Sequence, residues 1–394
     1  MPHIKVAIFD TNIIEKKISK ESIIRFRAKS LTSSDEVIGI EYDNSEFLLQ
    51  IKPQGKLTLI KYDKVTRPTD VNKLKKAIAL VAKELDLQVV SSNIAISPTK
   101  KPLGGEYEKK IEDFEDIKSF PKSKVSIEVG FGSGKHILYQ AQNNPDTLFI
   151  GLEIHTPSAQ QLLKQISLQG LDNIWVINYD ARLFLEMMPS NVCDKIFVHF
   201  PVPWDKKPHR RVISPTFLDE SMRVLKKGGR LELRTDSDKY FWYSLETFFG
   251  VAKTQVEVRK NQSLGVTSKY EARWLRMQKD IYDVYVTSLE TSMPKLEIEE
   301  FTFPNIIYNR DLSDILPKNS VIYDDYFVHF ERVFHIPNRG MLIKSAFGSF
   351  DRPEHKYIYI DSNQARYYAS SPVKSNTNYK AHNKIVELLN VKYN

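Results

Sequence analysis

The stretch KVSIEVGFGSGKH, residues 124–136, runs from a β-rich strand into a glycine-rich turn and then into helix-compatible sequence. Gly130, Gly132 and Gly134 form G-x-G-x-G, a turn at which a ligand can approach the backbone closely. The dinucleotide fingerprint G-x-G-x-x-G would need glycine at position 135, where Lys135 stands. A phosphate-cradling loop would close on G-K-[ST], and His136 breaks that pattern. The turn therefore suits a nucleoside-like ligand that carries no pyrophosphate.

Four further runs follow the same rhythm: TLFIGLEI from 147, IWVINYD from 174, KIFVHFP from 195 and GRLELRT from 229. A segment able to hold a helix separates each from the next. That alternation predicts an α/β core with a mostly parallel, doubly wound sheet and ligands at the carboxyl ends of its strands. The last crossover is the clearest helix. Ser214 can cap it, Pro215 suits its first turn, and Leu218, Met222 and Leu225 form its apolar stripe. Two more strands, near 252–259 and 281–288, can complete the sheet.

The flanks read differently. Residues 1–105 carry apolar runs at 37–40, 47–51 and 57–60 separated by polar turns, the pattern of a small antiparallel sheet. Leu74, Ile78, Val81 and Leu85 mark one amphipathic helix there. SPTKKPLGG, residues 97–105, reads as a boundary, after which Tyr107, Ile111 and Phe114 fit one face of a further helix. From 291 to 394 the runs YFVHFERVF, GMLIKSAF and KYIYI alternate around turns and predict a β-rich C-terminal extension. The expected organisation is thus an N-terminal α+β extension (1–105), a core domain (106–290) and a C-terminal extension (291–394).

Bulk properties exclude several classes. At 394 residues the chain is too long for one ordinary core. With 41% apolar and 27% charged residues it reads as globular, and no run of eighteen apolar residues predicts a membrane span. The N-terminus has no apolar stretch leading to a cleavage site, so a cytoplasmic location is expected. Cys193 is the only cysteine, which excludes an intrachain disulfide and a multi-cysteine metal site, and no metal is expected. A net charge of +8 is compatible with a polyanionic partner without requiring one.

Three acids stand in register with the glycine turn. Glu128 precedes it, where a carboxylate can hold an ammonium group. Glu153 ends the second strand, where a carboxylate can chelate ribose hydroxyls. Asp180 ends the third, placed to reach an adenine edge. Each alone fits a solvated strand end or a helix cap as well. Together they describe a site for a cationic nucleoside such as S-adenosylmethionine. The fourth strand ends in FVHFPVPWDKKPHRR, residues 197–211. Its prolines stiffen the exit from the sheet, and Trp204 offers a stacking platform or a lid. Lys206, Lys207, Arg210 and Arg211, with His209, give that rim positive charge suited to phosphate.

At this point the sequence resembles the bacterial tRNA (guanine-N7)-methyltransferases of the Rossmann-like class I S-adenosylmethionine-dependent fold. The motifs carrying the resemblance are E-V-G-F-G-S-G at 128–134, G-L-E-I-H at 151–155 and D-A at 180–181. They continue with F-P-x-P-W-x-K-K at 200–207, T-D at 235–236 and S-K-Y-E at 268–271, in the family's order over roughly 106–290. The resemblance implies methylation of the guanine at position 46, in the variable loop of tRNA. It implies cofactor contacts by Glu128, Gly130, Glu153 and Asp180, and substrate contacts by Lys206, Asp236 and Glu271. A carboxylate at Asp236 can also accept from guanine N1–H and the exocyclic amine, a donor pair that adenine lacks. Its competing role is capping the next helix, for which Ser237 or Asp238 would serve.

Val202 departs from the family's F-P-D-P-W. Either the enzyme is impaired or that carboxylate is dispensable, and the proton-free lone pair of guanine N7 favours the second. Two other readings stay open: a same-fold methyltransferase acting on another substrate, and a non-catalytic RNA-binding protein that kept the fold. The extensions either enlarge the tRNA-contacting surface or serve a structural or dimer-forming purpose. The oligomeric state is not legible.

Overall fold

The computed structural model describes residues 2–66, 70–95, 103–115, 117–262, 279–295, 297–304, 312–350, 352–361 and 364–390. The chain forms two compact units, one from residues 1–99 with 298–394 and one from residues 100–297. The first begins with β1 (His3–Ala7), α1 (Ile13–Lys17), β2 (Ile24–Ser30), β3 (Glu36–Tyr42), β4 (Ser45–Gln54), β5 (Leu57–Tyr62), α2 (Val71–Glu84) and β6 (Val89–Ser92). The second holds β7 (Lys124–Val129), α3 (Lys135–Asn143), β8 (Thr147–Leu152), α4 (Thr156–Gln169), β9 (Ile174–Ile177), α5 (Ala181–Met187) and β10 (Cys193–His199). It continues through α6 (Pro215–Val224), β11 (Leu225–Thr235), α7 (Asp238–Phe249), β12 (Thr254–Lys260) and β13 (Tyr282–Ser288). The first unit then resumes with α8 (Leu312–Ile315), β14 (Val321–Ile322), β15 (Phe327–Ile336), β16 (Gly340–Gly348), β17 (Glu354–Asp361), β18 (Gln364–Tyr368) and α9 (Asn376–Leu389).

The unit of residues 100–297 is a seven-stranded sheet in the order β12-β13-β11-β10-β7-β8-β9. β7 to β11 pair in parallel, whereas β13 runs antiparallel to both β11 and β12. The order reverses between β7 and β10, and in such sheets ligands bind at the carboxyl ends beside that switch. The expected doubly wound fold is therefore present, strand by strand. Ile137, Leu138 and Ala141 of α3 and Ala159, Leu162 and Ile166 of α4 share one apolar cluster with Phe149 and Ile174 of the sheet. Gly134 permits this packing, because a Cβ there would stand 2.7 Å from Leu162 Cδ1. Ser214 caps α6 by accepting from Phe217 N at 3.2 Å, as its sequence predicts.

One expected helix does not form. Tyr107, Ile111 and Phe114 lie on two short 3-10 turns, Gly105–Tyr107 and Ile111–Phe114. Between them Glu108 bridges to Val176, and Lys109 N donates to Val176 O at 2.9 Å. Pairing with β9 holds this stretch extended. Phe114 still reaches an apolar site, packing edge-on against Phe184 at 4.8 Å.

The flanking segments, read from sequence as two extensions, meet in one sheet. Among the described residues it has eleven strands, ordered β18-β17-β16-β15-β2-β3-β4-β5-β1-β6, with β14 on β15. The joint is short: Phe334 pairs with Ser30 and His335 with Lys29. Side chains reinforce it. Phe26, Ala28 and Leu48 from the first segment share a buried cluster with Phe334, Leu342, Tyr357 and Tyr368 from the last. Tyr357 Oη donates to Asp63 Oδ2 at 2.8 Å, and Arg366 grips Glu46 with both terminal nitrogens at 2.7 and 2.6 Å. Helix α2 covers the part built by β1 to β5, and α9 covers the part built by β15 to β17.

Near the joint Glu331 accepts from His355 Nδ1 at 2.9 Å and from Lys344 Nζ at 2.5 Å. The His355 hydrogen bond lowers its carboxyl to about 2, aided by Lys344 and opposed by burial. A folded-state value below the unfolded one stabilises above the ordinary glutamate range and loses that contribution as pH falls toward 2. Melting curves followed by circular dichroism between pH 6 and pH 2 should accordingly show a shallower acid loss for Glu331→Gln than for wild type. Identical slopes would show that this carboxylate does not control the acid transition.

Candidate active site

The carboxyl edge of the seven-stranded sheet gathers most of the residues expected from sequence. Gly130 follows β7 with φ 70°, and its N–H donates to Leu152 O at 2.8 Å. A Cβ at Gly130 would meet nothing within 4 Å, so the turn opens onto free space. Glu153, just past β8, is anchored from both sides: Oε2 accepts from Gly132 N at 3.0 Å and Oε1 from His155 N at 2.9 Å. The carboxylate is thereby fixed between the glycine turn and the start of α4, with lone pairs left to accept from vicinal hydroxyls.

Glu128 is buried, and its Oε2 lies 2.8 Å from His136 Nδ1. The His136 ring meets Phe197 edge-on at 4.8 Å and lies 4.5 Å from the His199 ring. Burial, then the neighbouring His136 and Arg234, push His199 well below the ordinary histidine range. It is a neutral imidazole at neutral pH. Arg234 in turn donates from Nη1 to Asp283 Oδ1 at 2.6 Å, directly across the β11–β13 pair. Asp180 takes the helix-cap role that a lone acid there allows. It accepts from Arg182 N at 3.0 Å and from Arg182 Nε at 3.2 Å, and it sits three residues beyond β9.

Asp236 follows the end of β11, half-buried, and its Oδ2 accepts from Lys279 Nζ at 3.0 Å. It does not cap α7, because Ser237 does so by accepting from Tyr240 N at 3.3 Å. The S-K-Y-E element at 268–271, Glu271 included, lies outside the described residues.

The loop after β10 divides the basic cluster read from sequence. Phe200 and Trp204 bracket Pro201-Val202-Pro203 with φ 50° and 45°, a backbone region that costs side-chain-bearing residues of order 1 kcal/mol each. Arg211 is not a surface cation. It is buried, donates from Nε to Pro203 O at 2.8 Å, lies 3.6 Å from Asp205, and stacks 4.4 Å from the Tyr243 ring. Arg210 lies 5.2 Å over Trp204. Lys206, Lys207 and His209 are left as exposed basic side chains, and Val202 is 60% exposed.

Among the partners that sequence reading missed are His136, His199, Tyr243 and Lys279. His136 carries a local signal, a titratable ring two residues past Gly134. Tyr243 lies in helix α7 and Lys279 stands 43 residues beyond Asp236. No local pattern announces contacts across such separations. Burial pushes the Cys193 thiol up to about 12, so it is unreactive. Among the described residues no group of three or more His, Cys, Asp or Glu side chains is placed to hold a metal, and no helix is long and apolar enough to cross a membrane.

Residues 122–284 match the family model described as "Putative methyltransferase". The tRNA (guanine-N(7)-)-methyltransferase of Wolinella succinogenes is 38% identical over 363 residues, covering 90% of this chain and 91% of that protein. The protein of the same name from Campylobacter fetus is 37% identical, covering 93% and 94%. That from Helicobacter pylori is 40% identical, covering 88% and 87%. The likeness runs through both flanking segments as well as the seven-stranded sheet and its glycine turn, and on that extent the chain belongs to the tRNA (guanine-N(7)-)-methyltransferase family.

Proposed function

We infer that this chain methylates N7 of a guanine in tRNA, the guanine at position 46 of the variable loop. The observation that carries the reading is the shared edge. Glu128 and Gly130 lie at the end of β7 beside the switch to β10, Glu153 follows the neighbouring β8, and the strained basic loop leaves β10 at that same edge. The donor and acceptor set fits S-adenosylmethionine. Glu128 would meet its ammonium group, the open face of Gly130 would admit its backbone-hugging part, and Glu153 would accept from its ribose hydroxyls. When bound, it supplies an electrophilic methyl group on a positively charged sulfur.

Guanine N7 carries an in-plane lone pair and no proton, so no residue has to act as a base. What remains for the chain is orientation, which alone can account for large accelerations. Asp236 would accept from guanine N1–H and the exocyclic amine, with Lys279 holding one of its oxygens. Lys206 and Lys207 would take phosphates, and the Arg211 clamp keeps their loop in place. His199 stays neutral at the rim, which spares a cationic donor and a cationic product from an added repulsive charge. Asp205 does not replace the carboxylate missing at Val202, because it lies beside Arg211.

Nucleoside mass spectrometry of unmodified tRNA incubated with enzyme and S-adenosylmethionine should reveal N7-methylguanosine. Cofactor binding without that product would favour the alternative suggested by Val202, a non-catalytic RNA-binding role. Asp236→Ala should lower kcat/KM for tRNA by at least about tenfold, since it strands the guanine donors. Val202→Asp should leave turnover within about threefold, whereas a needed general base would raise it by about a hundredfold or more. Arg211→Lys loses the stacked, forked contact that lysine cannot reproduce. It should lower kcat/KM for tRNA by about tenfold while S-adenosylhomocysteine affinity moves less than about twofold. Unchanged tRNA kinetics in that variant would show that the loop needs no clamp.

A further inference from the structure

Resting on the cofactor reading above, we propose that His136 is a positioning residue for cofactor capture, holding the Glu128 carboxylate so that one oxygen faces the incoming ammonium group. His136 is the second residue of α3, immediately beyond the glycine turn, and reaches back to the acid eight residues before it. Both side chains are buried, at 5% exposure for Glu128 and 9% for His136. The hydrogen-bond network assigns the tautomer. Gln140 Nε2 lies 3.2 Å from His136 Nε2, so its amide N–H donates to that nitrogen, and the ring proton sits on Nδ1, donating to Glu128 Oε2.

The ring has little freedom to do otherwise. Phe197 and His199 pack against it, and Gln140 fixes its far nitrogen. Among the described residues no protein donor reaches the other oxygen of Glu128. A carboxylate buried to this degree with one hydrogen-bond donor is poorly compensated. A cation arriving beside the open Gly130 turn completes its pairing. His136 thus supplies the bond that leaves Glu128 fixed but unfinished, which is the state a binding carboxylate requires.

A purely structural His–Glu pair would behave differently on substitution. His136→Phe keeps a ring against Phe197 and His199 but removes the donor, whereas His136→Asn places an amide N–H where Nδ1 was. Calorimetry uses two probes: S-adenosylhomocysteine, which carries the ammonium group, and 5′-methylthioadenosine, which lacks it. His136→Phe should weaken S-adenosylhomocysteine by about tenfold and leave 5′-methylthioadenosine within about twofold. His136→Asn should restore S-adenosylhomocysteine to within about threefold of wild type, with KM for tRNA unchanged in both variants. The proposal is overturned if His136→Phe binds both probes as wild type does, if it loses both equally, or if the asparagine fails to rescue. Wild type binding neither probe would instead overturn the cofactor reading, and the positioning role with it.

Discussion

Strands β7 and β10 pair in parallel with Glu128 level with Phe197 and Val129 level with Val198. Everything at the carboxyl edge depends on that register. Level residues share a face of the sheet, so Glu128 and Phe197 lie together, and His199 two residues on joins them. The same alignment on the other side of β10 sets His199 level with Arg234. A slip of one residue would turn Phe197 and His199 to the opposite face. His136 would lose both ring contacts, and the charge that helps to keep His199 neutral would be gone. The alternation along β7, with Val125, Ile127 and Val129 on one face and Ser126 and Glu128 on the other, is what makes such a slip costly.

The loop after β10 illustrates how the rest of the site is tensioned. Two aromatic residues in the left-handed region are held there by Arg211 at the loop's end and by contacts to neighbouring elements. Arg211 bonds the Pro203 carbonyl and lies on Tyr243, while Phe200 N donates to Arg234 O at 2.7 Å. A flexible loop would have to be ordered by the RNA at an entropic cost, and this one is already ordered.

The parallel core was legible because each strand and each crossover is a local pattern. The glycine turn, the three acids and the proline–tryptophan loop all lie at strand ends that a period-two reading can find. What stayed hidden depends on long separations. Nothing near Ser30 announces that it pairs with Phe334, and nothing near Asp236 announces Lys279. Arg211 looked like a surface cation because charge runs are usually solvated, yet a guanidinium can be buried when a carbonyl, a carboxylate and an aromatic face receive it. The C-terminal segment shows the same limit. Its basic and aromatic content suggests RNA contact, but residues 298–394 hold 12 Lys or Arg against 11 Asp or Glu. Tyr357, Tyr367 and Tyr368 are buried in the shared unit.

The joint between β2 and β15 also governs the order in which the protein can be completed during synthesis. Residues 100–297 leave the ribosome as one contiguous block and can fold as soon as β13 is made. The first 99 residues cannot finish, because the partner of β2 and the cover for Phe26 and Leu48 are encoded some three hundred residues later. Until then a nascent chain carries an unpaired strand edge beside exposed aromatic surface, the combination that invites wrong pairing. Translation that stops before residue 327 would leave that edge permanently open, so prematurely terminated chains of this protein are expected to be prone to aggregation.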